Sequence, residues 1–299
     1  MNRFIANLPA DRYRADDVGE SVPTLSSSIA SEMVEKSPWH AWRLHPKLGG
    51  KIRKSTDSMD DGQLMHAFLL GQESTLTRLD VDDFRTNAAK TLRSDAIALG
   101  KMPVKKADYD AALEHAARID NALRKQCGIE LGRMQRELTA VWSQKTNALG
   151  QVPADVLCRA RLDIFDGTTI YDIKTTTDAR KSKLEKSVIN FGYHVQAATY
   201  IAAVEHVEPR LSDRVRFVLL FIENETSAVV PYPLDSTFLE MGRQRWQECV
   251  NAWQACLSSG DWPAYVVGEH DALECPEWYK FVNDAELHSL RRKVERHVR

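Results

Sequence analysis

The stretch LCRARLDIFDGTTIYDIKTTTD, residues 157–178, constrains the fold of this chain more than any other. Two runs of apolar and β-branched residues flank Asp166-Gly167, a pair that tolerates the positive φ of a tight turn, so the segment predicts a β-hairpin. Alternation then places Arg159, Arg161 and Asp163 on one face of the first strand, with Cys158, Ala160, Leu162 and Ile164 on the other. Asp172, Lys174 and Thr176 share a face of the second strand. Two carboxylates on adjacent strands can therefore converge, with a lysine one pleat along. Carboxylate oxygens suit Mg2+ or Mn2+, and a cation beside a lysine would acidify water and offset charge building on a phosphodiester. Lys174 would orient or deprotonate the attacking water, and deprotonation requires its pKa to fall. The competing reading is a cross-strand Asp163–Lys174 ion pair on a wet sheet face.

The segments around the hairpin extend it into a mixed α/β fold. Serines near residue 26 cap a helix that Pro38 ends or reorients. QLMHAFLLG buries Leu64, Phe68 and Leu69 and carries His66 on the same helix, while Ala112, Ala116, Ile119 and Leu123 stripe a helix over 107–126. RELTAVW (136–142) predicts a strand, 181–204 a helix, VRFVLLFIE (215–223) a buried strand and VVPYPL (229–234) an edge strand. A long helix follows over 235–257, where Trp246 and Trp253 form a packing stripe. The expected architecture is a mostly antiparallel central sheet flanked by helices. Residues 1–22 read as a flexible lead-in, 23–280 as one domain, and 281–299 as a basic helix or tail.

Composition removes several function classes. Apolar runs are too short for a membrane span, and MNRFIANLPADRYRADD lacks the apolar core of a secretory signal. Five cysteines, an odd number without close pairing, suit free thiols in a reducing cytoplasm. No C-x-x-C is present, so neither zinc nor an iron–sulfur cluster is expected. The formal net charge is −2, so any nucleic-acid binding must use a local groove.

Asp163 followed by Asp172-Ile173-Lys174 resembles the core of the PD-(D/E)xK nuclease superfamily. Gln196 and Tyr200, four apart on one helical face, match the Q-x-x-x-Y element of its RecB-like branch, and GQLMHAFLLG resembles that branch's histidine-bearing helix. GYHVQAATY, LCRARLD before DIKTTTDA, SPWHAW and WPAY together resemble the RecE-like exodeoxyribonuclease VIII family over roughly residues 24–280.

This resemblance implies a magnesium-dependent exonuclease, with manganese as a substitute, that digests one strand of linear double-stranded DNA from its 5′ end. The resulting 3′ overhang would serve a single-strand annealing protein, and the enzyme would be a ring-shaped homotetramer. His66, Asp163, Asp172 and the Ile173 carbonyl would ligate metal, Lys174 would be the catalytic lysine, and Gln196 and Tyr200 would hold the scissile strand or brace the site. Glu137 is either a contact near the metal or a structural acceptor. Arg161, Arg159, Lys181 and Lys183 are candidate phosphate contacts, although pairing of the arginines with the acids and a solvated lysine face explain them equally. Alternatives are another RecB-like nuclease, such as an endonuclease or an accessory module, and a silent DNA-end-binding protein.

Overall fold

The computed structural model describes residues 2–50, 61–150, 152–265, 274–279 and 285–286. The chain divides into two units, Met1–Ala264 and Tyr265–Arg299, and the elements below belong to the first. Nearly all of the expected basic tail, 281–299, lies outside the described residues.

The chain begins with β1 (Arg3–Ile5), α1 (Ala10–Arg14), α2 (Ser27–Glu35), α3 (Pro38–Leu44) and α4 (Asp61–Leu69). Next come β2 (Leu76–Leu79), α5 (Asn87–Ala98), β3 (Met102–Lys105) and α6 (Lys106–Ala122). The central strands are β4 (Gln135–Lys145), β5 (Asp155–Phe165) and β6 (Thr169–Thr176), followed by α7 (Lys181–Asn190) and α8 (Tyr193–Val207). The unit closes with β7 (Arg216–Glu223), β8 (Val229–Pro233) and α9 (Ser236–Ser259).

Six strands form one sheet in the order β1-β4-β5-β6-β7-β8, and β2 and β3 form a separate parallel pair. Within the large sheet β6 and β7 run parallel, as a strand–helix–strand crossover through α7 and α8 requires, and the other neighbours are antiparallel. The sheet is covered on both faces. Trp142, Ala160, Leu162, Leu219 and Phe221 pack with α2, α8 and α9 on one side. Ile173, Leu220, Ile222 and Val229 pack with α4 and α6 on the other, where the expected stripe Ala112, Ala116, Ile119 and Leu123 is buried.

Local chemistry accounts for the helix boundaries that position the site. Ser26 caps α2 by accepting from the Ile29 N–H, and Pro38 opens α3 at a first-turn position that needs no amide hydrogen. Sequence reading gave one helix over 181–204. The chain instead breaks at Gly192, which has φ of 64°, a conformation costly for residues bearing a Cβ. Gly242 sets how closely α9 approaches α8, because a Cβ there would come within 2.1 Å of the His194 carbonyl oxygen.

The flexible lead-in expected over 1–22 is corrected. Arg3, Phe4 and Ile5 pair with Val141, Ala140 and Thr139 of β4, and Leu8, Val18 and Val141 form a small apolar cluster. Arg3 adds contacts with Glu20 at 2.6 Å and the Val18 carbonyl at 2.7 Å. The segment lacks a sustained period because its elements are short and are held by partners far along the chain.

Candidate active site

The predicted hairpin forms, but it does not stay paired. Its turn is closed by Asp166, whose Oδ1 accepts from the amides of Thr168 and Thr169 at 2.8 and 2.7 Å. Beyond the turn, β5 and β6 share the pairs Phe165↔Ile170 and Ile164↔Tyr171, and then they separate. β5 continues beside β4, while β6 runs its full length beside β7. Farther along β5, Leu25 fills the space beside it, its amide donating to the Leu157 carbonyl and its carbonyl accepting from the Arg159 amide.

Asp163 stands where the strands part, and its Oδ2 accepts the Ile173 N–H at 2.9 Å. The face alternation expected along β5 also breaks here. Leu162 packs in the α8-side core, but Ile164, two residues on, packs in the α4-side core. Opposite, in β4, Glu137 adopts φ of 53°, an uncommon conformation for a residue with a side chain.

This opening lets helices from both layers reach the acids. From the α4 side, His66 Nε2 lies 3.4 Å from Asp163 Oδ2. From the α8 side, Gln196 Nε2 donates to Asp172 Oδ1 at 2.9 Å and to the Tyr200 hydroxyl at 3.0 Å. Lys174 Nζ lies 2.5 Å from Asp172 Oδ2 and 4.8 Å from the centroid of the Tyr193 ring. The structure therefore brings together His66, Asp163, Asp172, Ile173, Lys174, Gln196 and Tyr200. Sequence reading missed Tyr193, although its place one helical turn before Gln196 was a usable signal.

The electrostatics divide the two acids. Burial pushes Asp172 up to about 6 despite the opposing pull of Lys174, with nearby Asp163 adding to the rise. Burial also opposes ionisation of Asp163, but His66, Lys174 and the Ile173 amide outweigh it and hold its pKa below the ordinary value. Burial likewise disfavours the charged forms of His66 and Lys174, yet the acids prevail and both are raised. The two acids therefore favour the cationic form of Lys174 in the metal-free site, which suits orientation and charge stabilisation.

Among the described residues, no three His, Cys, Asp or Glu side chains converge into a ready-made metal cage. The donor set nevertheless fits a hard divalent ion, because Mg2+ keeps several waters and needs only one or two carboxylates. Asp172 Oδ2 is buried against Lys174 Nζ at 2.5 Å, and a carboxylate oxygen has a second lone pair that can also serve a cation.

Two candidate phosphate contacts are corrected. Arg159 is 4% exposed, and its Nη1 donates to Asp16 Oδ1 at 2.8 Å and to the Thr24 carbonyl at 2.6 Å. It anchors the N-terminal segment to β5. Arg161 is paired with Glu137 and donates to the Leu8 carbonyl at 2.7 Å, so Glu137 serves as its acceptor. Lys181 and Lys183 are exposed on the first turn of α7, the end remote from Tyr193 by about 15 Å along the helix. Lys181 lies 3.8 Å from Glu185. His194, Trp246 and Trp253 are buried, consistent with packing roles.

Residues 30–275 match a family model described as a PDDEXK-like domain of unknown function, DUF3799. A solved structure from Eubacterium rectale, described as a "Putative exonuclease", is 14% identical, with a TM-score of 0.53 over 91% of this chain and 96% of its own. Its likeness is one of fold. A second solved chain, SSO0001, is also 14% identical and covers 70% of this chain and 98% of its own, with a TM-score of 0.26. No curated protein matches the sequence.

Proposed function

The chain belongs to the PDDEXK-like family DUF3799, and from that premise we propose that it is a metal-dependent exodeoxyribonuclease digesting one strand of linear duplex DNA. The observation that carries this reading is the parting of β5 and β6, which exposes Asp163 and Asp172 to each other, to Lys174 and to helices from both layers. The RecE-like resemblance of GYHVQAATY and DIKTTTDA supports 5′-to-3′ polarity and a 3′-overhang product.

In this reading Asp163, Asp172 and the Ile173 carbonyl hold the ion, expected to be Mg2+, with His66 as a further ligand. The bound ion would supply Lewis acidity against the charge developing on the phosphodiester oxygens. Lys174, kept cationic by the two acids, stabilises the same charge and orients the attacking water. Gln196 fixes the Asp172 carboxylate through Oδ1 while Lys174 lies against Oδ2, an orientation in which the carboxylate would help hold the ion. Tyr200 completes that brace through its hydroxyl, and burial raises its pKa well above the ordinary value, so it acts as a neutral phenol.

The proposal extends to cytoplasmic action, a single-strand annealing protein receiving the overhang, and a homotetrameric ring. Linear duplexes labelled at the 5′ or 3′ end, together with closed circles, test the activity in Mg2+ and in chelator. Metal-dependent release from 5′ ends alone, with circles intact, is expected. Cutting of circles or release from 3′ ends would overturn the polarity and mode, and absence of any cutting would overturn the nuclease activity. Sedimentation at micromolar concentration tests the ring, which a monomer would rule out.

A further inference from the structure

Two aromatic side chains beside the catalytic lysine have no part in the mechanism above. Phe191, at the end of α7, is 63% exposed, and Tyr193 begins α8. Their rings stack with centroids 5.6 Å apart and planes 29° from parallel. Tyr193 in turn holds Lys174 Nζ over its ring at 4.8 Å. The left-handed turn at Gly192 lets the two rings meet although they are only two residues apart.

We propose that Phe191 and Tyr193 form a stacking platform for an unpaired nucleobase of the strand being cut. This deepens the nuclease reading and rests on it. Single exposed apolar residues are common on proteins and need no ligand. This pair differs in that one aromatic extends outward from another already fixed against the lysine, forming a continuous path from Lys174 to solvent. Every base has a π face, so such a surface accepts a nucleotide without reading its identity. A base held there must have left its pair, so the platform selects frayed or unpaired ends over continuous duplex.

The test uses the full chain and a linear duplex bearing one unpaired 2-aminopurine nucleotide at the 5′ end, in chelator so that no cutting intervenes. Wild type is expected to quench the probe, Phe191→Ala to lose the quenching, and Phe191→Trp to restore it. In Mg2+, Phe191→Ala is expected to raise KM about tenfold while kcat stays within about twofold. Circular dichroism confirms that the exposed-site variants are folded. A folded Phe191→Ala protein with wild-type quenching and KM would overturn the platform. Quenching by a wild type that cuts no DNA would support the platform while overturning the nuclease activity, so the two failures are distinguishable.

Discussion

Strand β5 carries two buried ionic clusters only four residues apart, and they solve the same electrostatic problem in opposite ways. Around Arg159, Asp16 accepts from the Thr24 amide at 3.0 Å and the Thr24 hydroxyl at 2.5 Å. Arg159, His45 and Lys47 lie within 2.8, 3.4 and 3.2 Å of its carboxylate. Burial alone would raise the Asp16 pKa, but these partners bring it down to about 2. Around Asp163 the groups are equally crowded, yet burial, with Asp163 nearby, outweighs the Gln196 and Lys174 contacts of Asp172 and its pKa rises to about 6. A fully served carboxylate stabilises a fold. One buried beside a second acid costs stability and attracts cations, so in the proposed reading the second cluster does the chemistry and the first supports it.

The sharpest way to break this contrast is to delete the lysine. Lys174→Ala is expected to lower kcat about 10³-fold, in the range seen when a charge-stabilising donor is lost, while retaining a cooperative melt. A comparable rate in the variant would remove Lys174 from the chemistry.

Asp16→Asn should show the reverse, losing about 3 kcal/mol of stability by stranding Arg159 in a buried position, as read by denaturant titration. Were its midpoint unchanged, the supporting cluster would not be holding the N-terminal segment.

Acid titration of the metal-free protein separates the two carboxylates by sign. The depressed Asp16 pKa gives stability that is present above about pH 4 and lost as pH falls toward 2, a contribution of about 2 kcal/mol. The raised Asp172 pKa works oppositely, because its contribution is present below about pH 4 and is lost as pH rises through about 6. Asp16→Asn should flatten the first limb and Asp172→Asn the second. If both variants flatten the same limb, the assignment fails.

The smallest effect expected is from Gln196→Ala, which frees Asp172 Oδ1 without removing a charge. It should reduce kcat about tenfold, equivalent to about 1.4 kcal/mol, and leave the melting temperature within a few degrees. A loss as large as that of Lys174→Ala would move Gln196 from positioning into direct contact with substrate.

The site was more legible in the sequence than the frame that holds it. Asp163, Asp172 and Lys174 were legible from strand alternation in one hairpin, whereas the resemblance to the Q-x-x-x-Y element is what placed Gln196 and Tyr200 beside them. The rotation of β5 at Asp163 was hidden, because Leu162 and Ile164 look alike as residues and divide between two cores only once both helical layers are present. Arg159 was misread for the same reason, its partner Asp16 lying 143 residues away in a segment with no pattern of its own. Arg3–Ile5 join the sheet through long-range pairing that no window along the chain can reveal. Tyr193, at the start of α8, was overlooked because its contact is with Lys174 on strand β6.

The two borders of the six-stranded sheet carry a consequence for self-association. On one side β1 offers only Arg3–Ile5, and on the other β8 contains Pro231 and Pro233, which have no amide hydrogen to give. Neither margin is a good template for another molecule's backbone, so copies of this chain are protected from fusing into a continuous intermolecular sheet. Any closed oligomer would then be joined through side chains rather than through shared strands. Trimming the chain past Ile5 would unpair Thr139, Ala140 and Val141 in the middle of β4 and lengthen the backbone margin open to another molecule.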